Sequence, residues 1–262
     1  MTALVLTGLR VSGLLLIAPA WSAKSVPMRV RTGVIVLFSV LLLPAAQATA
    51  TTTLQITPAT FLTESAIGFV IGFAAALVIG AAEFAGELMT TTIGLNGAAI
   101  FDPINNTQGA VLQQFMQLLA LMLLMATGGH LMMIKAVGQS FTAMPLGAPI
   151  HLDQGLLAVV VSAKSLYISG LQFASPVIGA MLLANLALAI LGRAAPQLNV
   201  MTVAFPLQIG LGLLTVAGSL AVMGHAMNEW PATYSDTMGR FVRAATNPST
   251  VTKSVTGRQG VR

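Results

Sequence analysis

GFAAALVIGAAEFAGELMTTTIGLNGAAIFDPINNTQGAV, residues 72–111, changes character halfway along. Its first half is apolar around the whole helix circumference, interrupted only by Glu83 and Glu87. Its second half cannot continue that helix. Pro103 donates no backbone hydrogen bond and biases Asp102 away from the helical region. Asn105 and Asn106 favour turns that bond their own backbone. A long apolar helix therefore ends at about residue 92, and a loop over 94–109 separates it from a second apolar run.

The whole chain follows that first half. Of its 262 residues 56% are hydrophobic and 7% charged, with a mean hydropathy of +0.87. Soluble domains carry about a quarter charged residues. The composition implies an all-α membrane protein, or a subunit buried in a membrane complex. There is no cysteine, hence no disulfide framework and no thiol chemistry. The net charge of +5 is scattered, with no basic face for nucleic acid. His130, His151 and His225 lie in separate segments, and no zinc-helix, phosphate-loop or serine-elbow motif is present. We expect no metal, no cofactor and no catalytic residue, so no enzyme.

Six helical segments emerge when the charge-free intervals are trimmed at Gly, Pro and polar clusters: about 2–19, 33–46, 61–92, 110–135, 156–192 and 197–228. Pro176 is expected to kink the fifth. The organisation expected is one all-helical domain over 1–230, followed by a basic, disordered tail over 231–262. Arg10 with VSGLLLIAPAWSA resembles a secretory signal, but Pro19 and Trp21 suit a cleavage site badly, and an uncleaved first helix is the better reading. Orientation is informative. The positive-inside rule places both Lys24, Arg29 and Arg31 and the tail arginines in the cytoplasm, yet six ordinary spans would separate them. Either one run does not cross, or this is not a simple six-span bundle.

Charges beside apolar helices are the remaining candidates. Glu83 and Glu87, four apart, share a helix face. They suit an ion site of a small-molecule transporter, or partners for basic groups on another helix or subunit, and the second reading is favoured. Arg10 and Lys164 either snorkel or pair with acids such as Glu83 or Glu87. Lys135 and Arg193 fall at expected helix C-termini, where a cation meets the negative end of the helix dipole. Gly68 and Gly72, and later Gly210, Gly212, Gly218 and Gly224, form small-residue stripes that let helix backbones approach closely. No matching halves of the kind transporters show are evident.

Several blocks together resemble one family: RVSGLLLIAPAWSAKSVPMRVRTGVIV (10–36), residues 72–95 with FDP (101–103), GGHLMMIKAVGQSF with MPLG (128–147), and SPVIGAMLLANLALAILGRAAPQLNVMTVAFPLQIGLGLL (175–214). Over about residues 5–228 the chain resembles the FliR/SctT family of type III protein-export gates, and LLANLALAILGRAAPQLNV favours its flagellar branch over the injectisome branch. The resemblance implies bent helical hairpins assembled with FliP and FliQ into a helical multi-subunit gate in the inner membrane, within the flagellar basal body. It implies FlhB at the entrance, FlhA nearby, and unfolded flagellar proteins as cargo. It also implies that the loop after the third helix plugs the closed pore, here Phe101, Asp102, Pro103, Ile104, Asn105 and Asn106. Arg10, Glu83, Glu87, Lys164 and Arg193 would then serve inter-helix or inter-subunit ion pairs.

Overall fold

The computed structural model describes all residues except 20, 23–25, 51–53, 96–110, 149–151, 196, 198–199, 229 and 247–262. Among the described residues the regular structure is entirely helical: α1 (Thr2–Ile17), α2 (Met28–Ala48), α3 (Pro58–Ile93), α4 (Val111–Ala126), α5 (Gly129–Ala143), α6 (Leu152–Ala194), α7 (Val200–Asn228) and α8 (Trp230–Thr246). Four of these helices are long and apolar enough to cross a membrane, or five if the broken pair α4–α5 is one span. The fold is that of an all-α membrane protein. The loop 94–109 and its proposed stoppers, Phe101 to Asn106, lie outside the described residues from position 96 onward.

Both ends of α3 are set by local chemistry. Thr57 and Thr60 cap its start reciprocally: the Thr57 hydroxyl accepts from the Thr60 amide at 3.2 Å, and the Thr60 hydroxyl accepts from the Thr57 amide at 2.9 Å. Pro58 fills the first helical position, where its missing N–H is not needed. The helix thus begins three residues before the apolar run that signalled it. At the far end Gly94 adopts φ 85°, and the amides of Gly94 and Leu95 donate back to Thr91 O (3.2 Å) and Thr90 O (3.1 Å). This is a Schellman ending, which satisfies the last carbonyls with the chain's own backbone.

Three expectations change. The single fourth segment breaks at Thr127–Gly128, where Gly128 takes φ 74° and opens α5. Lys135 therefore sits in mid-helix, whereas a terminal position was expected. Residues 231–246 are helix where a disordered tail was expected. Tyr234, Thr237, Phe241 and Ala245 recur every three or four residues and are buried, while Ser235, Asp236, Arg240 and Arg243 face outward. Four inward positions in a mostly polar stretch gave too little apolar signal to read. The chain falls into two compact units: residues 1–77, 124–164 and 230–262, and residues 78–123 and 165–229. The helix α6 runs on through Pro176, which leaves the carbonyl of Gln172 without an amide partner. The hydroxyl of Ser175 donates to it at 2.8 Å instead.

In the first unit α1 lies against α3 at backbone contact. A Cβ at Gly13 would meet Ser65 O at 2.5 Å, one at Gly72 would meet Leu14 O at 2.7 Å, and one at Gly68 would overlap Arg10 O. The Gly68/Gly72 stripe therefore faces α1, with Gly13 answering from the other side. Tyr234 of α8 is buried and donates to Ile71 O at 3.4 Å, and burial raises its phenol above the usual range, so it stays a neutral donor. In the second unit the same device recurs. A Cβ at Gly86 would meet Gln113 Cα at 2.7 Å, one at Gly170 would meet Phe84 Cδ1 at 2.6 Å, and one at Gly212 would meet Ile93 Cγ1 at 2.5 Å. Phe84 and Tyr167 pack edge-on at 5.1 Å between centroids.

Burial is uneven. Within its most apolar window α3 is 61% buried, against 11% for α2, 28% for α6 and 24% for α7. Val36, Leu37, Val40 and Leu41 of α2 are exposed, as are Leu182, Leu183, Leu186 and Ile190 of α6. Gly210, Gly218 and Gly224 of α7 meet nothing within 4 Å, so most of that later stripe has no partner among the described residues.

The close approaches predict a sharp split among glycines. Gly68→Ala should lower the thermal midpoint of the detergent-solubilised protein, at a cost of about 1–3 kcal/mol from overpacking. Gly33→Ala, at an exposed helical site with open space, should leave it level or slightly higher. Equal midpoints for the two variants would contradict the α1–α3 packing.

Candidate functional site

Arg10 is the most buried large polar side chain of the structure, with no exposed surface, and lies on the inward face of α1 with Ala3, Leu6, Leu14 and Ala18. A guanidinium offers five N–H donors in a fixed plane. All five are used. Nε donates to Glu64 Oε2 at 2.7 Å, and Nη2 meets the same oxygen at 2.6 Å. Nη1 donates to Ser140 Oγ and to Met144 O, both at 3.0 Å. Nη2 completes the set on Met144 O at 3.0 Å. The Phe141 ring stands 4.5 Å from Cζ, giving the cation an aromatic face.

The acceptors are held as firmly. Glu64 is 2% exposed, and its second oxygen, Oε1, accepts from the Gly147 amide at 3.2 Å. Gly147 adopts φ 72° in the turn Pro145–Ala148, which side-chain-bearing residues rarely do. Ser140 accepts from Arg10 and passes its own proton to Val137 O at 2.7 Å. The sequence MPLG is thus explained from below. Met144 supplies a carbonyl to the guanidinium, Leu146 is buried, and Gly147 turns its amide onto the carboxylate. One charge pair ties the first helix, the third, the fifth and the turn after it. Its chemistry is structural: no reactive atom is exposed and no proton-accepting site is left open.

The other sequence candidates fare differently. Arg10 pairs with Glu64, an acid that the alternatives of snorkelling or pairing with Glu83 or Glu87 did not name. Glu83 is half-buried and Glu87 exposed, and neither takes part in an ion pair among the described residues. Lys164 is exposed. Arg193 is exposed and lies in the last turn of α6, as the dipole argument expects. The second ion pair among the described residues, Arg240 with Asp236, is half exposed on α8. Among the described residues no cluster of His, Cys, Asp or Glu could hold a metal. Sequence reasoning missed Glu64, although a signal existed. It is the lone charge between the charge-free intervals 32–63 and 65–82, and isolated carboxylates inside apolar helices are seldom idle.

The fold and this site define an all-helical membrane protein built around a buried ion pair. Residues 1–232 match the family described as bacterial export proteins, family 1. The chain is 32% identical over 208 residues to flagellar biosynthetic protein FliR of Pectobacterium carotovorum subsp. carotovorum, covering 79% of this chain and 80% of that one. It is 31% identical over 237 residues to the FliR of Caulobacter vibrioides, covering 88% and 92%. It is 32% identical over 154 residues to secretion system apparatus protein SsaT of Salmonella typhimurium, covering 58% and 60%. The chain belongs to this family of bacterial export proteins, the FliR/SctT family.

Removing one member of a buried ion pair strands the other, at a cost of about 3–5 kcal/mol, whereas replacing both by apolar groups is often close to neutral. Arg10→Met and Glu64→Leu should each lower the level of folded protein in the membrane several-fold. The double variant should recover most of it. A double variant as poor as the worse single one would show that the pair is needed for more than mutual neutralisation.

Proposed function

We propose that this protein is a non-catalytic, pore-forming subunit of the flagellar type III export gate, required for flagellum biosynthesis. In this reading it passes unfolded flagellar proteins across the bacterial inner membrane at the base of the flagellum. The observation that carries the reading is the family match over residues 1–232, together with relatives named FliR at about 30% identity over most of both chains. One structural feature supports it. The apolar faces of α2, α6 and α7 exceed what this chain covers by itself, as expected of a subunit that packs against others.

The partners in this reading are FliP and FliQ in one hetero-oligomeric gate, with FlhB at its entrance and FlhA close by. Exposed apolar side chains such as Leu182, Leu186 and Leu214, and the open glycines of α7, would lie against those subunits. Exposed Glu87, Lys164 and Arg193, and half-buried Glu83, would find opposite charges there.

The loop that follows α3 is the plug. Its start is rigid, because the Schellman ending at Gly94 fixes the direction in which the chain leaves the helix. The stretch Phe101–Asn106 would then seal the closed pore, with Phe101 and Ile104 as apolar stoppers around Asp102-Pro103. Irregular backbone at membrane depth is tolerated where protein or a water-filled cavity satisfies it, which a pore axis provides.

A second reading, a gate subunit of an injectisome, is favoured by the similarity to SsaT. Deleting the gene discriminates between them: loss of filament and of swimming is expected for the flagellar gate, with other secretion intact. Tagged protein extracted in mild detergent should bring down FliP and FliQ. Recovery of a lone monomer, from cells that swim normally without it, would overturn the assignment. Shortening residues 101–109 should leave assembly intact and make cells leak ions, and a tight membrane with normal assembly would overturn the plug.

A further inference from the structure

The first unit contains a cavity of about 550 Å³ between α3, α5 and α8 that takes no part in the export reading. That volume falls within the range of small-molecule sites. Its floor is apolar: Ile71, Met132, Met144, Met238 and Phe241. Methionine and phenylalanine there make a surface that adapts to a flexible hydrocarbon chain. Two cations line the same cavity, Lys135 from α5 and Arg243 from α8, and both are exposed. Among the described residues no acidic one lines it.

The placement of these cations is specific. Lys135 stands in mid-helix, where no helix-end carbonyls compete for its ammonium group. Arg243 folds back over its own preceding turn, so that its Nη2 lies 3.6 Å from where a Cβ on Gly239 would be, and Gly239 itself lines the cavity. Asp236, the nearby carboxylate on α8, is bound to Arg240 and leaves Arg243 its charge. An apolar floor under a doubly cationic rim asks for an anion carrying a hydrocarbon tail.

We propose that this cavity binds an anionic phospholipid, with the headgroup phosphate between Lys135 and Arg243 and an acyl chain over Met132, Met238 and Phe241. A guanidinium holds phosphate through paired N–H donors, and an ammonium adds a point charge. A zwitterionic lipid presents its own cation to the same rim and is disfavoured. The proposal depends on the side chains of the first unit alone and stands whether or not the export reading does. Other occupants are separate outcomes: free phosphate uses the cations and ignores the floor, and a neighbouring subunit would exclude lipid altogether.

The test uses the full-length chain with whatever subunits co-purify, delipidated in mild detergent. Phosphatidylglycerol with a photoactivatable group in its tail is the probe, and phosphatidylcholine with the same tail is its control. Labelling should fall on the peptides carrying Met132 and Met238 and be about tenfold stronger for phosphatidylglycerol. Lys135→Gln with Arg243→Gln, which alters exposed side chains only, should bring phosphatidylglycerol down to the level of phosphatidylcholine. Ala136→Phe, which fills the cavity and keeps both cations, should remove the label as well. Equal labelling by the two lipids, a preference unchanged in the double Gln variant, or displacement by inorganic phosphate at millimolar concentration would each overturn the proposal. The chain has no cysteine, so Met238→Cys gives a single thiol. Its blockage by a subunit in the assembled complex, with lipid absent, would also overturn it.

Discussion

A guanidinium without exposed surface constrains everything around it. Arg10 cannot be deprotonated at physiological pH, so the structure must supply both a counter-charge and five acceptor directions. Glu64 gives the charge, and Ser140 and Met144 give the remaining acceptors. Each supplier is held in turn. Ser140 is oriented by Val137 O, and the second oxygen of Glu64 is held by the amide of Gly147. The contact between α1 and α3 that brings the charges together requires Gly68 directly behind the carbonyl of Arg10. The pair is best seen as a register device. It adds little net stability over an apolar substitute, but it permits one alignment of α1, α3 and the α5 turn, and makes neighbouring alignments costly.

The rest of the molecule is notable for how little of its apolar surface it covers. In a globular protein, helices such as α2, with 11% of its apolar window buried, would be unstable in water. Lipid solves part of that problem, because hydrocarbon tails accept apolar side chains without cost. Lipid does not fill the gaps left by Gly210, Gly218 and Gly224 as closely as another helix does, since association among membrane helices depends on such close packing. The buried half of the fold, α1 and α3, carries the charged lock and the reciprocal glycines. The helices α2, α6 and α7 carry broad exposed apolar faces instead.

Much of this was legible in the sequence, and what was not has physical causes. The helical, membrane character followed from composition. The end of α3 was legible to within a residue or two because Gly94 and the Asn-rich stretch state it in local chemistry. The Gly68/Gly72 stripe was legible as a contact face, but its partner was not, since a stripe names no complement. The break at Thr127–Gly128 was hidden inside one charge-free run, where Gly is tolerated in membrane helices and carries a weak signal. The helix α8 was misread as disordered because its four buried positions are spread over twelve residues of otherwise polar sequence. The partner of Arg10 was not legible for a different reason. Glu83 and Glu87 drew attention by sharing a face, while Glu64 stood alone, and solitude in an apolar helix was the stronger clue.

The lock also has a history in time. Arg10 is made 134 residues ahead of Met144, whose carbonyl completes its shell. At about 5–20 residues per second, the ribosome needs roughly seven seconds or more to deliver it. Throughout that interval an arginine in an apolar segment has no finished burial site. The first helix must therefore wait at a wet boundary, headgroup or translocon, and can sink into place only after the turn at Pro145–Ala148 has emerged. Burial of α1 is in this way timed by the completion of the turn after α5.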